Sequence, residues 1–153
     1  MAEFTKNDIQ IVNPNQPVVL STTIGCGKGY VYHRPERGIV TLRGIVNNPC
    51  ACFARYQVTF NGNIAIPEDG TVGGAIAVAI ALDGEPILTS RAIVTPAAVD
   101  EYFNVTSTAI ITVPRGCCFN VSVENVSESE DPTTTPAPPI NVQNANMTVS
   151  RIA

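Results

Sequence analysis

Positive charge is scarce in this chain. Only two lysines, Lys6 and Lys28, accompany its arginines, and nine basic residues stand against 13 acidic ones, a net charge of -4, with no basic run anywhere. Nucleic acid and anionic membrane surfaces are therefore excluded as expected partners. Long apolar runs are missing as well. The longest, Ala75 to Leu82, is far below the roughly 20 residues of a membrane helix. The first residues, MAEFTKNDIQ, lack the charged-then-apolar pattern of a secretory signal, so a soluble product of the cytoplasm is expected. Tryptophan is absent and histidine is represented by His33 alone. A Ser or Cys nucleophile would have to use that one imidazole as its base, and the flanking YVYHRPERG carries no nucleophile environment. His33 is expected to be a surface or satisfied strand-end histidine, and the chain is expected not to be an enzyme.

What is present favours strands. Hydrophobic residues make up 44% and charged residues 14%, with 12 prolines, 11 glycines and many Thr, Val, Ile and Asn. That mixture points to an all-β fold, and 153 residues suffice for one domain with its own core.

Asn61-Gly62, inside YQVTFNGNIAIP (56 to 67), poses a choice. Asn-Gly suits a type I′ hairpin because both residues tolerate positive φ. Parity opposes the hairpin. On an unbroken strand Tyr56, Val58, Phe60, Gly62, Ile64 and Ile66 share one face, whereas a two-residue turn sends Ile64 and Ile66 to the polar side. One long strand over 55 to 66 is expected, with Gly62 marking a bulge or a close backbone approach.

Along the chain, residues 1 to 22 read as an N-terminal arm with one short strand, and 23 to 153 as the folded domain. Strand signals recur at YVYH (30 to 33), GIVTLRGIV (38 to 46), the long strand, and GAIAVAIALDGEPIL, where Asp83-Gly84 predicts a hairpin into 87 to 94. Ile76, Val78, Ile80 and Leu82 form a core face there; the opposite face of Ala75, Ala77, Ala79 and Ala81 predicts cover by a loop or by another subunit. Two more strands follow, around 103 to 113 and 119 to 123, and alternation points Cys117 inward with Phe119 and Cys118 outward. SESEDPTTTPAPP (127 to 139) is acidic and proline-rich, an exposed loop. MTVSRI (147 to 152) closes the chain as a last strand.

Five cysteines, Cys26, Cys50, Cys52, Cys117 and Cys118, cannot all pair within one chain. Reduced thiols acting as small apolar residues are the expectation. A zinc site from Cys26, Cys50, Cys52 and either Cys117 or Cys118 is the weaker alternative, because Cys-x-Cys and Cys-Cys do not match the gaps of structural zinc sites. No cofactor is expected. Acidic residues fall in turns and loops, where a calcium site is conceivable although no spaced ligand loop occurs, and nothing selects a catalytic carboxylate pair. The sequons at Asn104, Asn120, Asn125 and Asn146 imply no glycan without secretion.

The long strand ARYQVTFNGNIAIP, the hairpin AIALDGEPI, the strand-turn-strand TAIITVPRGCCFNVSVENV, the polar loop and the closing NANMTVSRIA together resemble bacterial and phage members of the C1q/TNF-like jelly-roll family, over about residues 38 to 153. The resemblance implies a two-sheet sandwich of about ten antiparallel strands that assembles as a homotrimer. It places strands 55 to 66, 101 to 113 and 146 to 152 nearest the threefold axis. Tyr56, Val58, Phe60, Phe103, Val105, Met147 and Val149 are then the candidate residues of the trimer-facing strands, and the alanine strand lies in the outer sheet. By function the resemblance implies a non-enzymatic phage virion component, a capsid decoration, head fibre or fibre tip. Such a protein attaches to a capsid or other virion protein by its N-terminal arm and displays loops for stabilisation or for binding a host-surface glycan. The alternative is a bacterial surface or spore-coat trimer that binds glycans or protein ligands. No Gly-X-Y stalk precedes the domain.

Overall fold

The computed structural model describes residues 1–25, 29–34, 36–129 and 131–153. Twelve strands appear among them: β1 (Ala2–Lys6), β2 (Gln10–Val12), β3 (Thr22–Ile24), β4 (Val31–His33), β5 (Val40–Arg43), β6 (Phe53–Ala65), β7 (Ile76–Leu82), β8 (Glu85–Pro86), β9 (Ala92–Val94), β10 (Phe103–Pro114), β11 (Cys118–Asn125) and β12 (Ile140–Arg151). They form two antiparallel sheets of six. The first runs β10-β6-β12-β1-β3, with β2 also on β12; the second runs β4-β5-β11-β7-β8, with β9 also on β7. The expected all-β, two-sheet jelly-roll sandwich is thus the observed architecture, with strands added at its edges and N-terminus.

β6 is unbroken through Asn61-Gly62. Ala54, Tyr56, Val58, Phe60 and Ile64 point inward and are fully buried, as parity requires. The irregularity lies on the neighbouring strand: β12 slips register between Gln143 and Asn146, opposite Asn61 to Asn63, and Asn144 takes φ 54° in the bulge. Gly62 marks a close approach, since a Cβ there would lie 2.9 Å from Phe60 Cζ.

Residues 1 to 22 are not a separate arm. β1 sits between β12 and β3, and β2 pairs with the start of β12, so this segment supplies two strands to the first sheet where an arm with one short strand was expected. Phe4, Val12, Val18 and Leu20 are at most 2% exposed. Gln10 completes the stitching, its side-chain amide donating to Val19 O at 2.9 Å and accepting from Val19 N at 2.8 Å, as a strand partner would.

The Asp83-Gly84 turn is present, with φ of 50° and 86° joining Leu82 to Glu85. The returning strand is interrupted, however: after Pro86 a single 3₁₀ turn (Leu88–Ser90) intervenes before β9 rejoins β7. Ser90 repairs the ladder, its hydroxyl accepting from Ile80 N at 3.0 Å. The alanine face is covered within the chain. Ala79 and Ala81 are fully buried, flanked across the ladder by Glu124 and Ser122 of β11, and Ala77 is flanked by Ile93 of β9. No second subunit is needed to dry it. Residues 131 to 136 form an exposed loop, as expected, with Asp131 accepting hydrogen bonds from Thr133 and Thr134 hydroxyls.

Candidate functional site

Three regions of the surface carry distinct chemistry. The first is the outer face of the first sheet. Because β6 and β10 bury alternate residues, their other face presents Gln57, Thr59, Asn61 and Asn63 beside Asn104, Thr106, Thr108, Ile110 and Thr112. β12 adds Asn146, Thr148 and Ser150, so rows such as Thr108, Thr59 and Thr148 cross three strands. Side chains bond along these rows: Thr59 and Thr108 hydroxyls lie 3.3 Å apart, and Asn104 Nδ2 donates to Asn61 Oδ1 at 2.7 Å and Asn63 Oδ1 at 3.1 Å. None of these residues is charged. Ile110 stands 61% exposed among them, and β10 is an unpaired edge twelve residues long.

The candidate trimer-facing side chains lie elsewhere. Tyr56, Val58, Phe60, Val105, Met147 and Val149 are all buried between the two sheets, and Phe103 sits at the margin with 36% exposure. The strands they mark present the Thr, Asn and Gln set on their outer face, while the marker side chains point into the sandwich. Large apolar side chains fill the sandwich interior, and the outer face of these strands carries the Thr, Asn and Gln set.

The second region is the end of the sandwich where β6 starts and β10 and β12 finish. Arg43, Arg55, Arg115 and Arg151 gather there without an acidic residue in the loops 44–52 and 114–117. Both chain termini are at this end: Arg55 N donates to Ala153 O at 3.1 Å, and Ala2 pairs with Val149. Tyr56 anchors the underlying core, its hydroxyl donating to Arg43 O at 2.5 Å, and burial raises its pKa above the ordinary phenol value. The Arg151 guanidinium stacks 4.4 Å over the Tyr30 ring.

Cys50, Cys52, Cys117 and Cys118 are exposed at the same end. Cys117 does not point inward as alternation suggested, because it closes the turn 114–117, its N–H bonding Pro114 O at 3.0 Å, and strand alternation begins only at Cys118. Among the described residues no group of three or more Cys, His, Asp or Glu converges on a point that a metal ion could occupy. Cys26 of the zinc alternative lies outside the described residues.

The third region is the opposite end, which is acidic. Glu68, Asp69, Asp100, Glu101, Glu128 and Asp131 crowd its loops, with Arg91 held by Glu128 at 3.3 Å. An open cleft of about 580 Å³ lies there among Ile11, Pro67, Glu68, Asp69, Asp100 and Asn141. On the outer face of the second sheet, a smaller cleft of about 340 Å³ contains Glu124. Burial raises the Glu124 pKa above the usual carboxylate value; a hydrogen bond from Ser122 lowers it and Glu85 raises it further.

His33 has the geometry of a structural histidine. Its Nε2 donates to Arg37 O at 3.1 Å, its Nδ1 meets Thr23 Oγ1 at 2.8 Å, and its ring packs 4.8 Å from Phe4. Both nitrogens are occupied and only 9% of the residue is exposed, leaving it nothing to offer a substrate.

No family model matches the chain, and no curated protein sequence matches it. Among solved structures it is similar to the globular domain of the zebrafish complement 1qA protein, with a TM-score of 0.55 and 14% identity over 96% of this chain and 94% of that one. A second similarity, to the C-terminal domain of EclA, a sugar-binding protein, has a TM-score of 0.42 and 14% identity over 95% of this chain and 79% of that one. The paired six-stranded sheets and the likeness to the complement domain make the fold a C1q-like jelly-roll sandwich.

Proposed function

We propose that this chain is a non-enzymatic interaction module that works as a homotrimer, three copies packing through the outer face of β10, β6 and β12. The observation that carries the reading is the Thr/Asn/Gln face with Ile110 exposed on its edge strand, β10, whose far side is open over twelve residues. The centre of this face carries no ion, Arg55 opposite Thr112 and Glu3 bonded to Asn146 lying at its margins, so packing there desolvates little charge, and a closed ring of copies covers an edge that otherwise invites uncontrolled strand pairing. The acidic end remains free for other partners.

Ile110→Lys tests the reading. Ile110 is exposed in the single chain, so the substitution leaves folding stability within about 0.5 kcal/mol, while placing three charges in the packed assembly. Light scattering is expected to show a trimer for the parent protein and a monomer for the variant. A variant that assembles like the parent removes this face from the interface.

The setting is a further part of the proposal: a phage particle, where the module decorates the capsid or tips a fibre, with a bacterial or spore surface as the alternative. The attachment surface proposed there includes residues 1 to 22, which are built into the first sheet through β1 and β2. Co-sedimentation with phage particles, compared with binding to cells, spores and a glycan array, separates the two settings.

A further inference from the structure

The packing proposed above makes no use of the cysteines, yet the fold gathers four of them at the basic end. The loop 44–52 and the turn 114–117 are stitched together by Gly44 N to Cys117 O at 2.8 Å, Gly116 N to Gly44 O at 3.2 Å, Arg115 N to Cys52 O at 2.9 Å and Arg115 Nη1 to Pro49 O at 2.9 Å. Cys50, Cys52, Cys117 and Cys118 are all exposed on these segments or beside them, and none is paired. Exposure is unusual for a thiol with only a packing role, since free cysteine is among the most buried residue types.

Pairing within the chain is restricted. The Cα atoms of adjacent Cys117 and Cys118 are about 3.8 Å apart across a trans peptide, below the roughly 4.4 Å at which disulfides begin. Five is also an odd number, so at least one thiol has no partner in its own chain. The position adds a direction. Phe53 and Pro114 close the β6–β10 ladder, so Cys52 and the 114–117 turn continue directly from the two strands whose outer face is the proposed contact. Copies packed side by side through that face bring these segments into the same layer.

We propose that this end is a covalent coupling site, at which exposed thiols from Cys50, Cys52, Cys117 and Cys118 form disulfides between copies of the chain. The identity of the partner rests on the side-by-side packing. Each link joins two sulfurs and releases two protons and two electrons. A small disulfide oxidant such as oxidised glutathione takes them and leaves as two thiols, through a mixed disulfide that the second protein thiol displaces. Assembly made under reducing conditions would thus be locked on exposure to an oxidising medium.

The test treats the full chain with oxidised glutathione and reads it by non-reducing gel and intact mass, beside light scattering in reductant. Expected are discrete covalent dimers and trimers that collapse to monomer with dithiothreitol. The paired variants Cys50→Ser/Cys52→Ser and Cys117→Ser/Cys118→Ser are expected to fold normally, since all four side chains are exposed, and at least one pair should lose most of the covalent species. Monomer carrying only glutathione adducts or an internal disulfide overturns the inference. A trimer in reductant without covalent species leaves the packing standing and sinks the thiol site; covalent species from a protein monomeric in reductant do the reverse.

Discussion

Gly62→Ala probes the feature on which the longest strand turns. The new methyl would sit 2.9 Å from Phe60 Cζ, 3.3 Å from Phe60 Cε1 and 3.7 Å from Ala145 Cα, on the inward face of β6. Phe60 has no exposed area, so its ring can yield only by pushing other core side chains. Overpacking of this kind costs about 1–3 kcal/mol. Replacing glycine recovers about 0.4–1 kcal/mol through the unfolded chain, because its native φ is not in the positive region. The net expectation is ~1–2 kcal/mol of destabilisation, read as a lower urea midpoint and a melting temperature reduced by about 2–8 °C for a chain of this size. A Phe60→Leu background isolates the cause: the alanine penalty should shrink there by more than half, giving a clear coupling energy. If alanine is neutral or stabilising, or costs the same in both backgrounds, the close-approach account of this glycine is wrong.

Phe4→Ala should cost about 3–5 kcal/mol by urea unfolding, as for any fully buried aromatic, and a chain starting at residue 23 should fail to fold. A stable, soluble domain from that truncation would restore the separate-arm reading. Glu124→Gln should raise stability at pH 7 relative to the parent. Its carboxyl is raised in the fold, so the parent's contribution is fully present below the ordinary value of 4.5 and lost as pH rises through the folded pKa. Melting temperatures at pH 4 and 7 check this, and equal shifts at both would exclude the carboxyl as the cause.

Much of the fold was legible where parity was long enough to count. Tyr56 to Ile64 spans several inward positions, and Asp83-Gly84 carries its own turn chemistry, so β6 and the β7 hairpin emerged from spacing alone. β1 did not, because AEFTK offers only two inward residues and the longer of its two partners, β12, lies at the far end of the chain, where Phe4 opposes Met147. The bulge at Asn144 was invisible for a similar reason: its signal is a register slip against β6, not a residue pattern within β12. For the strands of the proposed interface, the pairing was legible and the outward face was not. Apolar residues attract attention as contact makers, but in a sandwich the interior claims them first, and the face left for a neighbour is the one that sequence reading takes for solvent. The gathering of the cysteines depends on loop 44–52 meeting turn 114–117, a contact between segments more than sixty residues apart, which no local spacing encodes.

The most direct test of the central claim is the solution mass of the full chain by light scattering after size exclusion, in reductant. The account predicts about three times the 16.2 kDa chain mass, unchanged over a tenfold dilution. A mass of one chain would contradict it, leaving the uncharged face of β10, β6 and β12 as ordinary solvated surface.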